Sequence, residues 1–147
     1  MTKINRIEAR IITGDITDAG TDGTVYLGIC GREFKLDSSE EDFDRKSDAT
    51  YVLGQALEGE RIVLDRAHND PREDYPLDSE NLEKFPAYIR FDQDPSTSAW
   101  NLDAVSVTIK SSVEGDTLAR YNAPINIGDG NLWLGKAFGS FCYLLKA

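Results

Sequence analysis

The residues of this chain best suited to chemistry are acids, and they gather in two places. In TDAGTDGTVYLGI, residues 17–29, aspartates and glycines stand ahead of an apolar run; in FKLDSSEEDFD, residues 34–44, five acids fall within the eight positions 37–44. Carboxylates at this density can coordinate a hard cation, work as a paired acid and base, or stay solvated as a charged loop. Their placement depends on the strands beside them. Thr24–Cys30 and Glu33–Leu36 read as one hairpin turning at Gly31–Arg32, which brings Asp22 and Asp37 to the same end of a sheet and Asp18 and Asp42 there more loosely. Like charges a few ångströms apart repel by about 1 kcal/mol in water, and by more where partly desolvated. A bound Ca²⁺ turns that repulsion into coordination, since it takes 6–8 oxygen ligands from carboxylates, carbonyls and hydroxyls. Gly20 and Gly23 leave the first loop free to turn its carbonyls inward, without a Cβ in the way. The single-loop DxDxDG pattern of an EF-hand is absent, so the ligands must come from two loops. On spacing alone, calcium coordination and solvated acidic loops are equally good readings.

The rest of the chain must position these loops. Its 147 residues fit one domain with its own core. The apolar runs are short and bounded by turn residues, which favours strands. Strands are expected at Ile4–Ile12, Thr24–Cys30, Glu33–Leu36, Ala49–Leu53, Arg61–Asp65, Ala87–Asp92, Leu102–Ile109, Leu132–Leu134 and Ser140–Leu145. Alternation is clearest where Val105, Val107 and Ile109 interleave with Ser106, Thr108 and Lys110, a half-buried pleated strand. The fold expected is all-β, an antiparallel two-sheet sandwich of about eight strands. Residues 66–84 are polar and carry two prolines; they read as a long insertion with a helical turn at Ser79–Lys84, capped by Ser79 and facing Leu82 inward.

Composition removes several function classes. A net charge of −10 and a pI near 4.5 argue against a nucleic-acid partner and against electrostatic docking to anionic lipid, unless something neutralises the acids. No run approaches the roughly 20 apolar residues of a membrane span, and the N-terminus lacks a signal-peptide core. A soluble, cytoplasmic protein, or one peripheral at a membrane, is the expectation. Cys30 and Cys142 sit in apolar runs and read as buried free thiols. His68, amid polar neighbours and without a nucleophile motif, reads as a surface residue rather than a catalytic base. No phosphate loop or G-x-S-x-G is present, so a non-enzyme is expected.

Together, AGTDGTVYLGI and FKLDSSEEDFDRKSDATYVL resemble the PLAT domain, the β-sandwich module of polycystins, lipoxygenases and clostridial alpha-toxin phospholipases. The family's features fall on Thr13–Asp15, Ala19–Ile29, Asp37–Phe43, Ser47–Tyr51, Ile89–Arg90 and Trp100–Val107. The match covers residues 4–53 and 85–110, is weak over 54–84, and is vague at the C-terminus. It implies a stand-alone PLAT-like domain over residues 1–147, with an insertion around 66–84. In calcium-binding relatives the ligands come from these two loops. Carried over, they are Asp18, the Gly20 carbonyl, Thr21 and Asp22, then Asp37, Ser38, the Glu40 carbonyl and Asp42. Ser38 and Glu40 replace the family's usual Asn and Gly, but a hydroxyl and a backbone carbonyl still coordinate. Asp92 and Asp94, in a third loop, do not match a ligand position clearly.

The resemblance implies a calcium-binding module docking to lipid membranes or to a protein partner. The alternative is a calcium-stabilised structural or protein-interaction sandwich with no lipid role. Trp100, and Trp133 and Phe138 of GNLWLGKAF, fit lipid contacts if exposed, although core packing is the preferred reading for Trp100 and Trp133. Lys35, Arg45 and Lys46 flank the acids and could add attraction to an anionic surface.

Overall fold

The computed structural model describes residues 2–130 and 132–147. Its elements are β1 (Arg6–Thr13), β2 (Thr24–Ile29), β3 (Arg32–Lys35), β4 (Asp48–Gly54), β5 (Arg61–Ile62), α1 (Arg66–Asn69), a 3₁₀ turn (Ser79–Asn81), β6 (Tyr88–Asp92), β7 (Trp100–Lys110), β8 (Thr117–Asn122), β9 (Trp133–Leu134), β10 (Phe141–Tyr143) and β11 (Leu145–Lys146). One sheet runs β11-β8-β7-β1-β4-β5, with β9 on the end of β7; the other runs β10-β6-β2-β3. All pairs are antiparallel except β4 with β5. The two sheets form a sandwich.

Period-two patterning makes the core. Ile7, Ala9 and Ile11 of β1 and Val105, Val107 and Ile109 of β7 face inward, opposite Val25, Leu27 and Ile29 of β2 and Ile89 and Phe91 of β6. The strand at 117–122 is absent from the sequence reading, and its composition explains why. Small Ala119 and amphipathic Tyr121 point inward while Leu118 is only partly buried, so no apolar alternation stands out. The expected strand Arg61–Asp65 stops at Ile62, and Asp65, at φ 53, turns the chain into α1. The β2–β3 turn lies one residue earlier than expected. Ile29 pairs with Arg32, so Cys30 and Gly31 form the loop, at φ 56 and 79, the handedness of a type I′ hairpin.

Residues 66–84 have a structural task. Asn69 Oδ1 accepts the Lys35 amide at 2.9 Å, while Arg32 donates to the His68 and Glu73 carbonyls at 3.0 and 2.8 Å, so the excursion covers β3, which edges its sheet. Leu82 is buried as expected, but the 3₁₀ turn is capped by Asp78, which accepts the Glu80 amide at 3.1 Å; Ser79 instead accepts the Thr2 amide. His68 is exposed and sits 3.1 Å from Asp65. Cys30 is half-buried and Cys142 buried, both free, and burial raises both thiol pKa values, Cys30 to about 11.

Trp100 settles one alternative. It is fully buried, donates Nε1 to Thr13 Oγ1 at 2.9 Å, and packs against Phe43 and Phe91 with centroids 5.2 and 5.7 Å away. It is a core residue and no lipid contact. Trp100→Ala should cost about 3–5 kcal/mol of stability through the cavity it leaves. Urea unfolding should show a lower midpoint with an unchanged slope.

Candidate functional site

Four connections meet at one end of the sandwich: residues 14–23, 36–47, 93–99 and 135–140. Backbone contacts stitch the first two together, Thr21 N–H to the Phe43 carbonyl at 3.0 Å and Lys46 N–H to the Gly14 carbonyl at 3.0 Å. Thr21 Oγ1 donates to the Ser98 carbonyl at 2.8 Å and Ser98 Oγ donates to the Gly20 carbonyl at 2.7 Å, adding the third. Lys136 N–H donates to Gln93 Oε1 at 2.9 Å, bringing the fourth alongside. The glycines of the first loop are required by proximity and not by a left-handed backbone. A Cβ on Gly20 would lie 2.7 Å from the Arg45 amide, and one on Gly23 would lie 2.5 Å from the Phe91 ring.

Between the first two loops lies a cleft of about 280 Å³, lined among others by Thr21, Asp22, Lys35, Asp37, Asp42 and Phe43. The hairpin therefore brings Asp22 and Asp37 together as expected, with Asp42 and Thr21. Neither the Asp22 nor the Asp37 carboxylate has a hydrogen-bond or ion-pair partner among the described residues. Asp42 is engaged. Its Oδ1 accepts Ser38 Oγ and Tyr51 OH, both at 2.7 Å, and Arg61 at 3.2 Å, while Oδ2 accepts the Ser38 amide at 3.0 Å. Ser38 thus holds the loop from within, next to the cleft wall. Glu40 turns its carboxylate to Arg61 at 2.8 Å. Asp18 is exposed at φ 62 and lies off the cleft wall. Asp92 ends β6, paired with Thr24, and Asp94 forms a turn with Thr97.

Residues beyond the expected set also belong to this end. Glu41 has its pKa raised, chiefly by sharing a hydrogen bond with Asp44 and by that carboxylate's charge, with Asp22 adding to it. Tyr51 has its hydroxyl pKa raised by burial and then by Asp42. Arg61 lies 19 residues from Asp42 and carries no local signal; parallel pairing of β5 with β4, Tyr51 opposite Arg61, brings it there.

The fit to a divalent cation can be judged from these donors. The side chains of the cleft offer three carboxylates and two hydroxyls, the donor type calcium takes, beside one cation, Lys35. Two of the carboxylates are uncommitted. Among the described residues no three His, Cys, Asp or Glu side chains stand within metal-binding distance of each other. Side-chain rotation must bring three of them within reach of one ion. The residues fit calcium in chemistry.

No protein-family model matches the chain. Over 75 residues, 48% of its length, it is 27% identical to lipoxygenase homology domain-containing protein 1 of Homo sapiens, and equally to that of Mus musculus; the match spans 4% of those proteins. Among solved structures it is similar to the alpha-toxin of Clostridium absonum, with a TM-score of 0.59 and 22% identity over 98% of this chain and 32% of that one. The alpha-toxin of Clostridium perfringens gives 0.57 and 21% over 97% and 31%, and a LOX structure in complex with arachidonate gives 0.54 and 16% over 97% and 16%. The chain has a PLAT-type β-sandwich fold.

The influence of Asp44 on Glu41 is checkable. A carboxylate with a raised pKa favours folding at low pH and takes stability away as pH rises through its titration. In calcium-free protein, Asp44→Asn should move the Glu41 titration, followed by NMR, down toward the ordinary carboxylate range. An unmoved Glu41 would show that the two do not interact.

Proposed function

We propose that this chain is a non-catalytic calcium-binding module that docks to an anionic lipid surface. One observation carries the reading: Asp22 and Asp37, uncommitted, line one cleft with Asp42 and Thr21. No ion pair neutralises Asp22 or Asp37 among the described residues, Lys35 of the cleft wall included, and a bound cation would relieve their repulsion. Bound calcium supplies charge neutralisation and open coordination positions that lipid phosphate can occupy.

The chain's own residues supply the apolar and basic contacts. Phe138 is 62% exposed, stacks on half-buried Trp133 at 6.1 Å, and stands next to Lys136 in the connection that borders residues 93–99. An aromatic pair with a lysine at the rim suits the interface between headgroup and acyl chain. Phe138 takes the role that Trp100, being buried, does not. Lys35 lines the cleft and Arg45 and Lys46 are exposed beside it, each adding about 1 kcal/mol near an anionic surface. Among the described residues no helix is long and apolar enough to cross a membrane.

A second reading, a protein-interaction sandwich without lipid binding, is favoured by a different surface. On the outer face of β6 and β10, exposed Phe141 and Tyr143 lie parallel at 5.9 Å, with Tyr88 edge-on to both. Exposed aromatic groups of this kind mark contact sites.

Calcium at 100 times its dissociation constant should stabilise the fold by about 2.7 kcal/mol, seen as a raised melting temperature that chelator reverses. Asp22→Asn and Asp37→Asn should remove the response. Sedimentation with phosphatidylserine vesicles should require calcium and weaken with Phe138→Ala. Calcium binding without vesicle recruitment at any anionic lipid content would favour the second reading.

A further inference from the structure

Asp42 lines the cleft with Asp22 and Asp37. Ser38 and Glu40, on the same loop, line a second hollow of about 330 Å³ together with Arg61. From this hollow Arg61 reaches over the acidic loop. Its guanidinium lies 3.2 Å from Asp42 Oδ1 and 2.8 Å from Glu40 Oε2, donates to the Glu41 carbonyl at 3.1 Å, and sits 5.6 Å from the Tyr51 ring centroid. The Arg61 and Asp42 side chains are only 23% and 13% exposed, so water screens this contact incompletely.

We infer that Arg61 is a tethered cation that competes with calcium for Asp42 and sets the concentration at which the acidic end is loaded. The inference rests on the calcium reading above and adds its regulation. Three features carry it. Asp42 Oδ1 already accepts three donors, Ser38 Oγ, Tyr51 OH and Arg61, so a further cation at that oxygen must displace one. Arg61 is the one whose charge also opposes a dication in the cleft. The loop, moreover, does not need Arg61 for its shape. Ser38 holds Asp42 through both N–H and Oγ, Tyr51 OH holds it from β4, and Phe43 anchors the next position in the core. Removing the guanidinium therefore frees a ligand and lifts a repulsion while leaving the ligand in place.

Calorimetric calcium titration of the full chain tests this in wild type, Arg61→Gln, Arg61→Met and Arg61→Lys, with melting curves in chelator alongside. One neighbouring unit charge shifts a charge-binding equilibrium by about tenfold, the equivalent of about 1.4 kcal/mol. Arg61→Gln should bind calcium about threefold to tenfold more tightly and melt lower in chelator. Arg61→Met, which keeps the apolar stem against Tyr51, should tighten binding likewise and serves if the glutamine variant does not fold. Arg61→Lys keeps the charge and should stay within about twofold of wild type. Neutral variants that bind calcium as wild type does, or more weakly, overturn the inference and leave the calcium reading standing. No calcium binding in wild type or any variant overturns the calcium reading, and the inference with it.

Discussion

Everything at the acidic end depends on one aromatic anchor. Phe43, in the middle of the acid run, is buried in the core, stacked on Tyr51 at 5.4 Å and edge-on to Trp100 at 5.2 Å. It adopts φ 61, a conformation that costs a bulky L-residue roughly 1–2 kcal/mol. Burying the ring contributes about 1.5–3 kcal/mol, enough to offset that strain. Asp42 and Asp44, its chain neighbours, are carried with it. The Phe43 carbonyl then receives the Thr21 amide, which fixes the first loop against the second. Hydrophobic burial thus holds together charges that would separate if free.

Elsewhere the chain pairs many of its charges, on the sheets and in the excursion 66–84. Arg6, buried at the start of the interior strand β1, meets Glu60 at 2.6 Å and Glu8 at 2.8 Å, and its hydrogen bonds hold the Glu60 carboxyl down at about 2. That pair lends stability above the ordinary carboxylate range and gives it up as pH falls toward 2. Arg10 meets Asp48, Arg72 meets Asp70, and Arg90 meets Glu33 while lying 4.1 Å from the Tyr26 centroid. Asp22 and Asp37 have no such partner among the described residues, and they share one cleft. Arg61 marks the boundary between the regimes, paired to Glu40 and Asp42 on the flank of the cleft.

Period-two alternation and the glycine–aspartate punctuation made most strands, the two-sheet architecture and the β2–β3 hairpin legible in the sequence. Since that hairpin sets the common end of Asp22 and Asp37, their place in one cleft was legible too. What was not legible depended on long-range geometry. Strand 117–122 hid because Ala119 and Tyr121 face inward in place of large aliphatics. Asp42 looked like a plain ligand, because nothing near it in sequence announces Tyr51 and Arg61 as partners. Trp100 carried two roles until its burial against Phe43 and Phe91 left one. Phe138 was visible in GNLWLGKAF as an aromatic suited to a lipid interface, but its place beside residues 93–99 depended on how its connection packed.

The central claim is that the core holds this acidic end together as a cation site. A calcium titration followed by amide NMR tests it residue by residue. The account predicts saturable shifts confined to residues 20–24 and 36–44, with the strands of the distant end unmoved. Shifts that never saturate, or that saturate elsewhere while these two loops stay silent, would contradict it.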